Sequence, residues 1–338
     1  MLRRESAMND IAVSVFCSTY NQADYISDAI ESFLAQETDF EYEILINDDS
    51  STDGTAEIAL GYERAYPGKI TVVTHAENMF SKGILGGAAP YFLYPLARGR
   101  YFAWCEGDDY WVDRKKLQKQ FDVMERDESA SFCVHSSLCV QPATKKVIGV
   151  NRFHDIDGYV EYDEMLGNIQ CFATSSFFVR RSAYESYLKS KIIGIKAHGD
   201  QKLSLFFGSQ GRVHYIDEAM SAYRVAAKGS YNKSLLLNPD RNAIEKDLCE
   251  SRVALLTAID ELTDGAHKEG VAKGKEAARY AYYASTSQYH VLKRDWDCLF
   301  KEERFMKRAR IRIVSICPHL FEPIYRLAKR MAFAIGRR

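Results

Sequence analysis

Short apolar runs alternate with amphipathic stretches along the first third of the chain. Four runs have the length and composition of buried β-strands, and they lie at residues 11–17, 42–46, 69–73 and 101–105. Apolar side chains recur at helical spacing between the first two runs, at Ile26, Ile30, Phe33 and Leu34. A second helix is predicted to begin at Asp53-Gly54-Thr55 with Asp53 as its N-cap, and residues 84–98 are also predicted to be helical. This alternation predicts an α/β fold with a mostly parallel sheet covered by helices on both faces.

The second half of the chain combines further strands with short helices and ends in a helical region. We predict strands at residues 131–140, 174–179, 212–216 and 220–225. From about residue 235 the pattern becomes helical, with many alanine, leucine, tyrosine and charged residues. We therefore divide the chain into an α/β domain over residues 1–230 and a helical C-terminal region over residues 231–338.

Charge is unevenly distributed along a chain of otherwise ordinary composition. The 338 residues are 46% hydrophobic and 27% charged, values typical of a soluble globular protein. Residues 301–338 contain eleven Lys and Arg against three Asp and Glu, although the whole chain has a formal net charge of −1. A basic tail of this kind favours an anionic partner, such as a membrane surface.

The tail also has the pattern of a basic amphipathic helix, which Pro323 can open as its first residue. At about 100° per residue, one face carries Ile324, Leu327, Ala328, Met331 and Ile335. The opposite face carries Arg326, Lys329, Arg330 and Arg337. Such a helix can lie on an anionic bilayer, and it can equally pack on the protein core.

Cysteine spacing and hydropathy exclude several classes of protein. Eight cysteines are scattered without a CxxC pair, so neither zinc-ligand spacing nor a disulfide framework is present. The apolar run at residues 11–16 is too short for the core of a signal peptide. No window approaches the roughly 20 apolar residues that a transmembrane helix needs. We therefore predict a cytoplasmic enzyme, peripheral on the inner face of the membrane if the tail binds lipid.

Three short acidic clusters are the most informative feature of the sequence. They lie at residues 47–50, 106–111 and 198–200, and the first two directly follow predicted strands. Carboxylates at the carboxyl ends of parallel strands project into the crevice where α/β folds bind ligands. Grouped carboxylates repel one another, so a cation is expected among them, and a metal that carries a diphosphate fits best.

The ends of the first two strands suit a nucleoside. Thr19, Tyr20 and Asn21 follow the first strand, where backbone amides and small hydroxyls can bind a nucleobase or ribose. Asp48 and Asp49 follow the second strand and can accept hydrogen bonds from a uracil imide or a ribose hydroxyl. Two structural alternatives stay open: Asn21 caps the following helix, and the DDSS sequence is only a turn.

Glu106-Gly107-Asp108-Asp109 is the sharpest chemical signal. Two carboxylates separated by one residue can approach a single Mg²⁺ or Mn²⁺ and leave positions open for phosphate oxygens and water. Gly107 allows a tight backbone path between them. The metal would neutralise the charge that develops on a departing diphosphate. The alternative is that these residues only cap a helix at 115–126.

Asp200 follows His198 and Gly199 and precedes the apolar stretch 202–207, which is predicted to be helical. It can be an N-cap, or it can be a general base that takes a proton from an attacking hydroxyl. His198 can tune this base or be a plain polar surface residue. The sequence contains no spaced histidine pair, GxSxG, P-loop or DxDxT signature.

Taken in order, these segments resemble the inverting family 2 glycosyltransferases of the GT-A fold. The matching stretches are CSTYN (17–21), NDDSSTDGT (47–55), ARGRYFA (97–103), EGDDYW (106–111), KLQKQ (116–120), HGD (198–200) and YIDEAMSAYR (215–224). The resemblance covers about residues 10–232, and the ordered combination is far more specific than any single motif. It implies a Rossmann-like, mostly parallel sheet in a catalytic domain over residues 1–230.

The resemblance implies a nucleotide-diphosphate sugar donor, often a UDP-sugar, and a divalent metal. Thr19, Asp48 and Asp49 would hold the nucleoside, and Asp108 with Glu106 or Asp109 would hold the metal and diphosphate. Asp200 would deprotonate an acceptor hydroxyl, which displaces the nucleotide with inversion. We predict a saccharide or lipid-linked saccharide acceptor and no nucleic acid. Further candidates for the donor or acceptor pocket are Tyr110, Trp111, His198, Tyr223, Arg224 and Lys228.

Two departures from the family pattern stand out. Glu106 occupies a position where such enzymes commonly have aspartate, and Ala226 stands where many have a histidine that contacts metal or phosphate. We predict that Lys228 meets the diphosphate electrostatically instead. The rival interpretations are a non-catalytic nucleotide-sugar-binding scaffold and a metal-dependent nucleotidyltransferase, which would release diphosphate from a nucleoside triphosphate.

Overall fold

A computed structural model describes residues 11–82, 89–168, 172–228, 240–302 and 305–316. Ten strands in these ranges form one sheet: β1 (Ile11–Thr19), β2 (Glu41–Asp48), β3 (Ile70–Thr74), β4 (Tyr101–Trp104), β5 (Tyr110–Trp111), β6 (Ala130–Val140), β7 (Val147–Asn151), β8 (Gly158–Val160), β9 (Phe178–Arg180) and β10 (Arg212–Arg224). Their main order in space is β3-β2-β1-β4-β9-β6-β10-β5, with β7 beside β6 and β8 beside β10.

The helices flank this sheet and continue beyond it. They are α1 (Ile26–Leu34), α2 (Thr55–Ala65), α3 (Lys116–Arg126), α4 (Tyr162–Gly167), α5 (Arg181–Lys189), α6 (Gly199–Ser209), α7 (Arg241–Leu262), α8 (Lys268–Ser285), α9 (Tyr289–Asp295), α10 (Asp297–Glu302) and α11 (Phe305–Ile316). The α/β class with a helical C-terminal part is confirmed. Strands β3, β2, β1 and β4 run parallel to one another. Strand β9 lies between β4 and β6 and pairs antiparallel with both.

Both faces of the sheet carry apolar cores. On one face Ile26, Ile30 and Phe33 of α1 are fully buried, as the helical spacing in the sequence predicts. The other face is strongly aromatic, with Phe16 stacked on Phe102 at 4.9 Å between ring centroids. Full burial of each such side chain stabilises the fold by roughly 1.5–3 kcal/mol. This packing fixes the strands whose ends carry the acidic clusters.

Several predicted elements have different boundaries in the structure. The predicted strands 212–216 and 220–225 form one strand, β10, whose register with β6 shifts between Ile216 and Ala219. Residues 174–176 form a 3₁₀ turn before β9. Within the predicted helix 84–98, residues 89–93 form a π-helical turn and 94–96 a 3₁₀ turn, and residues 83–88 lie outside the described ranges. The helical prediction is therefore confirmed over residues 89–96, although as π- and 3₁₀-helical turns, and it was wrong for residues 97 and 98.

The N-cap prediction for α2 was also wrong by one residue. Gly54 occupies that position with φ of +97°, a left-handed conformation that glycine adopts without steric cost. Asp53 nevertheless bonds the start of the helix, because its Oδ1 accepts the backbone N–H of Thr55 at 3.1 Å. Its Oδ2 accepts the backbone N–H of Ala23 at 3.1 Å, which ties the helix start to the loop after β1.

The C-terminal helices share the core of the α/β part. Leu255, Leu256 and Ile259 of α7 are fully buried in the same cluster as Phe132 and Tyr215 of the sheet. The expected boundary near residue 230 and the basic amphipathic helix 323–338 fall outside the described residues. No helix in the described part of the chain is long and apolar enough to cross a bilayer.

Candidate active site

The carboxyl ends of β1, β2 and β4 meet at one edge of the sheet and bring two acidic clusters together. Neighbouring loops are hydrogen-bonded there: Gly107 N–H donates to Ser18 O at 2.9 Å, and Asp49 N–H donates to Thr19 O at 3.0 Å. Parallel strands place these loops side by side, because all three strands end in the same direction. The clusters at 47–50 and 106–109 therefore flank the end of β1.

Gly107 lets the acidic turn at 106–109 lie directly against the end of β1. A Cβ atom on this residue would come within 2.6 Å of Gln22 Oε1 and 2.7 Å of Thr19 Oγ1, closer than packed atoms approach. Asp109 N–H closes the turn by donating to Glu106 O at 3.0 Å. Glycine is required at this position because neighbouring atoms lie too close for a Cβ atom, and not because of an unusual φ angle. We expect any side chain here to displace the turn.

The carboxylates of the turn differ in exposure. Asp108 and Asp109 are buried, whereas Glu106 is open to solvent in a cleft crowded by protein. Desolvation in this cleft, followed by the charges of Asp108 and Asp200, raises the pKa of Glu106 to about 8. Burial first, and then the neighbouring carboxylates, raises the pKa of Asp109 well above its ordinary value. A bound cation would relieve this repulsion.

Arg224 supports the acidic turn from behind. Its side chain is fully buried, its Nη1 donates to Asp108 O at 2.7 Å, and its Nη2 forms an ion pair with Asp28. The backbone N–H of Arg224 donates to Asp109 Oδ1 at 2.9 Å. The guanidinium lies between the rings of Tyr25 and Tyr110, at 4.9 Å and 4.6 Å from their centroids. Arg224 therefore fixes the turn and supplies it with a positive charge.

Gln22 links the turn to the end of β1. Thr19 is buried, and its hydroxyl donates to Gln22 Oε1 at 2.8 Å. The Gln22 side chain also bonds the Asp108 carboxylate, and this bond opposes the rise in the pKa of Asp108 that burial causes. Gln22 could not be predicted from the sequence, because a single glutamine in a loop carries no recognisable pattern. The same holds for Asp28, which looks like an ordinary polar residue of α1.

Asn21 connects the loop after β1 to the loop after β2. It has a left-handed backbone with φ of +51°, and its side-chain oxygen accepts the backbone N–H of Thr52 at 2.9 Å. Its own N–H donates to Ser51 Oγ at 2.8 Å. The alternative that Asn21 caps α1 is wrong, because Tyr25 occupies the N-cap position. Tyr20 beside it is 42% exposed.

Asp48 and Asp49 point their carboxylates to different partners. Asp48 is buried, and its Oδ2 accepts the backbone N–H of Ser51 at 2.9 Å. Its Oδ1 is buried and has no hydrogen-bond partner in the described ranges. Asp49 is engaged on both oxygens, which accept the backbone N–H groups of Met79 and Phe80 at 2.6 Å and 3.0 Å. Of these two residues, Asp48 is the one with a carboxylate oxygen that lacks a partner in the described part of the chain.

Asp200 lies in the first turn of α6 and faces the acidic turn closely enough for its charge to raise the pKa of Glu106. The N-cap position belongs to His198, so the alternative of Asp200 as N-cap is wrong. Buried Lys202 fixes the approach to this helix, because its ammonium donates to the carbonyls of Ile193 and Ile195 at 2.9 Å and 3.1 Å. Asp200 of the third acidic cluster therefore lies within electrostatic reach of the second.

The other pocket candidates occupy varied positions. Trp111 is buried behind the site, where its indole N–H donates to Ser175 O at 3.1 Å and its ring packs on Phe33. The Trp111 side chain is therefore almost fully buried, and its place in a donor or acceptor pocket stays a prediction. Tyr110 and Tyr223 are half-buried. Lys228 is exposed, with its ammonium 3.7 Å from Asp24 and its backbone N–H donating to the Tyr25 hydroxyl at 3.4 Å.

The carboxylates of the acidic turn are donors of the kind that a divalent metal takes. Within the described part of the chain, no three His, Cys, Asp or Glu side chains come together as a preformed metal site. Glu106 and Asp108 supply carboxylate oxygens, the donors that Mg²⁺ and Mn²⁺ prefer. Mg²⁺ in particular is usually held by one or two carboxylates together with substrate phosphates, and this donor set matches that mode.

Several known proteins resemble this chain in sequence. A family model described as Glycosyl transferase family 2 matches residues 14–188. TuaG of Bacillus subtilis, named for teichuronic acid biosynthesis, is 37% identical over 159 residues, which are 46% of this chain and 57% of TuaG. Escherichia coli WfaP, a UDP-Glc:α-D-GlcNAc-diphosphoundecaprenol β-1,3-glucosyltransferase, is 36% identical over 116 residues, 34% of this chain and 42% of WfaP.

A solved structure shares the fold. S. aureus TarS 1–349 in complex with UDP-GlcNAc superposes with a TM-score of 0.60 at 17% identity. The match covers 86% of this chain and 78% of the TarS chain. The fold is therefore of the same type over most of the chain, including much of the helical region.

Proposed function

Because this chain belongs to glycosyltransferase family 2, we propose that it transfers a sugar from a UDP-sugar to a hydroxyl of a lipid-linked or other saccharide acceptor, with inversion of configuration. One observation carries the proposal: the acidic turn at 106–109 is hydrogen-bonded against the end of β1, and Asp200 is near enough for its charge to act on Glu106 of that turn. A leaving-group site and a base on opposite sides of a reacting carbon are what a single displacement needs.

The donor would lie along the carboxyl ends of the parallel strands. Thr19, Tyr20 and Asn21 border the nucleoside, and the unused Oδ1 of Asp48 accepts a hydrogen bond from the base or ribose. Glu106 and Asp108 would hold a Mn²⁺ or Mg²⁺ ion with the diphosphate. When bound, that ion supplies charge neutralisation for the departing diphosphate. Asp109 and Arg224 hold the turn in position from behind it.

Asp200 would act as the general base. Its carboxylate accepts the proton of the acceptor hydroxyl, the hydroxyl oxygen forms a bond to the anomeric carbon, and the bond to the diphosphate oxygen breaks. The attack comes from the face opposite the leaving group, so the configuration inverts. General base catalysis of this kind contributes about 10²–10⁴-fold to the rate.

The relatives support the substrate classes. WfaP is named for a UDP-Glc donor and a diphosphoundecaprenol-linked acceptor, and the TarS structure contains UDP-GlcNAc. Residues 301–338, with eleven basic and three acidic residues, give this chain a segment suited to an anionic membrane that holds such an acceptor. We therefore place the enzyme in surface polysaccharide synthesis, peripheral to the inner face of the membrane.

The test is a transfer assay with UDP-glucose and UDP-N-acetylglucosamine, a GlcNAc-diphosphate-lipid acceptor and Mn²⁺, with EDTA as the control. We expect UDP release that depends on the acceptor and on the metal, and a product whose new linkage has the opposite anomeric configuration by NMR. Retained configuration would refute the inverting mechanism. Release of diphosphate from a nucleoside triphosphate and a sugar phosphate, with no use of nucleotide sugars, would instead identify a nucleotidyltransferase.

A further inference from the structure

The strand order determines where a donor nucleoside would lie. Strands β3, β2, β1 and β4 are neighbours in that order, and their carboxyl-end loops line one edge of the sheet. Adjacent strands are about 4.8 Å apart, so the end of β2 at Asp48 lies about 10 Å from the acidic turn after β4. With the diphosphate at that turn, the base would extend over β2 towards the loop that leaves β3, residues 75–82.

That loop carries Phe80, whose ring is 70% exposed. Among the large apolar side chains in the described ranges, only Ile156, at 73%, is more exposed. A ring this exposed contributes little to packing and offers a flat apolar surface to a ligand. A single exposed ring is common on protein surfaces, and Phe80 is distinguished by the contacts that hold its loop beside the end of β2.

The loop around Phe80 is held in place by the end of β2. Both carboxylate oxygens of Asp49 accept backbone N–H groups of the loop, one from Met79 and one from Phe80 itself. The Asn78 side chain donates to Asp49 O at 3.0 Å, and His75 Nε2 lies 2.7 Å from Asn47 Oδ1. Asp49, which follows Asp48 in the sequence, thus holds the backbone of the loop that carries the exposed Phe80 ring.

In the order of the strands, the end of β2 at Asp48 lies between two loops that each carry an exposed aromatic residue. Tyr20 follows β1, Asp48 ends β2 and Phe80 follows β3. A nucleobase has two apolar faces and a polar edge, and stacking on aromatic side chains contributes to its binding. The buried acceptor at Asp48 suits the polar edge, and the rings on either side suit the faces.

We propose that Phe80 stacks on the nucleobase of the donor and that Asp49 is a positioning residue that holds Phe80 in place. The proposal rests on the proposed function, since it assigns a part of the same donor site. It gives Asp48 and Asp49 different tasks: Asp48 contacts the nucleoside, and Asp49 acts only through the loop.

The first test is calorimetric titration of UDP with Mn²⁺ into wild type, Phe80→Ala, Phe80→Leu and Phe80→Trp. We expect the alanine and leucine variants to bind UDP about tenfold more weakly, as for loss of one base–aromatic stack, and the tryptophan variant to bind like wild type. Inorganic diphosphate with Mn²⁺ should bind all four proteins equally. Tyr66→Ala is the matched control, an exposed aromatic residue at the opposite edge of the sheet, next to the start of β3.

Three outcomes would overturn the stacking contact. These are wild-type UDP affinity in Phe80→Ala, an equal loss of diphosphate affinity, and full affinity in the leucine variant. If wild type binds no nucleoside diphosphate in any metal condition, both the contact and the proposed function fail. If wild type binds UDP while Phe80→Ala binds it equally well, only the contact fails.

The second test separates positioning from direct contact at Asp49. Asp49→Asn is made in the wild-type and in the Phe80→Ala backgrounds, and UDP affinity is measured for all four proteins. We expect Asp49→Asn to weaken UDP binding in the wild-type background and to have little further effect once Phe80 is removed. Additive losses would show that Asp49 touches the nucleoside itself and would overturn its positioning role. Equal Mn²⁺-diphosphate affinity in all four confirms that the acidic turn is intact.

Discussion

Asp200→Asn is expected to lower kcat by about 10²–10⁴-fold and to leave the affinity for the donor unchanged. The amide keeps the size and hydrogen-bonding reach of the carboxylate but cannot accept the proton of the acceptor hydroxyl. Asp200 belongs to α6, whereas the proposed nucleoside and diphosphate contacts come from the loops after β1, β2 and β4. The measurement is steady-state sugar transfer together with calorimetric titration of UDP in the presence of Mn²⁺.

The matched control for this variant is Asp295→Asn, a change of the same kind on a surface helix. Asp295 pairs with its neighbour Arg294 on α9, so its substitution should leave kcat and UDP affinity as in wild type. Wild-type turnover in Asp200→Asn would contradict the role of the base. A scaffold protein without activity would show no turnover to lose in any of the three proteins.

Arg224→Met is expected to lower the free energy of unfolding by about 3 kcal/mol, near the lower end of the cost of breaking a buried ion pair. Methionine fills part of the volume but leaves the carbonyl of Asp108 without its Arg224 donor, and it leaves Asp28 with Lys145 as its remaining ion-pair partner. Asp28 is one third exposed and can regain water, which keeps the loss from being larger. Because the acidic turn loses its support, the affinity for UDP with Mn²⁺ should fall as well.

Urea unfolding of Arg224→Met and of a control, Arg126→Met, tests this prediction. Arg126 is exposed and lies 3.8 Å from Asp122 one helical turn earlier, a pair of the kind that contributes less than about 1 kcal/mol. Equal stability of the two variants would contradict the role of Arg224. Arg224→Lys retains the charge, but a single ammonium cannot reproduce the two-sided contact of the guanidinium, so we expect only partial recovery.

The parallel half of the sheet and its acidic edge follow from the sequence because apolar runs end directly before charged residues. The run at 11–17 and the run at 42–46 correspond to β1 and β2, and Asp48 ends β2 as predicted. Strand β10 escaped prediction as one element because Asp217 and Glu218 interrupt its apolar pattern. Both carboxylates form ion pairs within the protein, Asp217 with Arg152 and Glu218 with Lys119.

The contacts that hold the acidic turn in place could not be predicted, because they join residues that are far apart in the chain. Arg224 and Asp28 are separated by 196 positions, and no local pattern marks either of them as a partner of the acidic turn. Asp48 and Asp49 look equivalent in the sequence, and only the loop after β3, about 30 residues later, distinguishes them. Trp111 follows charged residues in the sequence, and no local pattern predicts that its ring packs on Phe33 of α1.

In the proposed donor site, Glu106 and Asp108 hold a nucleoside diphosphate through a divalent metal. The most direct test of this site is calorimetric titration of UDP into wild type and Asp108→Asn, each with Mn²⁺ and with EDTA. We predict that wild type binds UDP with Mn²⁺, and that EDTA and the Asp108→Asn substitution each abolish most of this affinity. Equal UDP binding in all four titrations would contradict the metal site, and absence of binding by UDP, GDP, CDP and dTDP in wild type with Mn²⁺ would contradict the donor site itself.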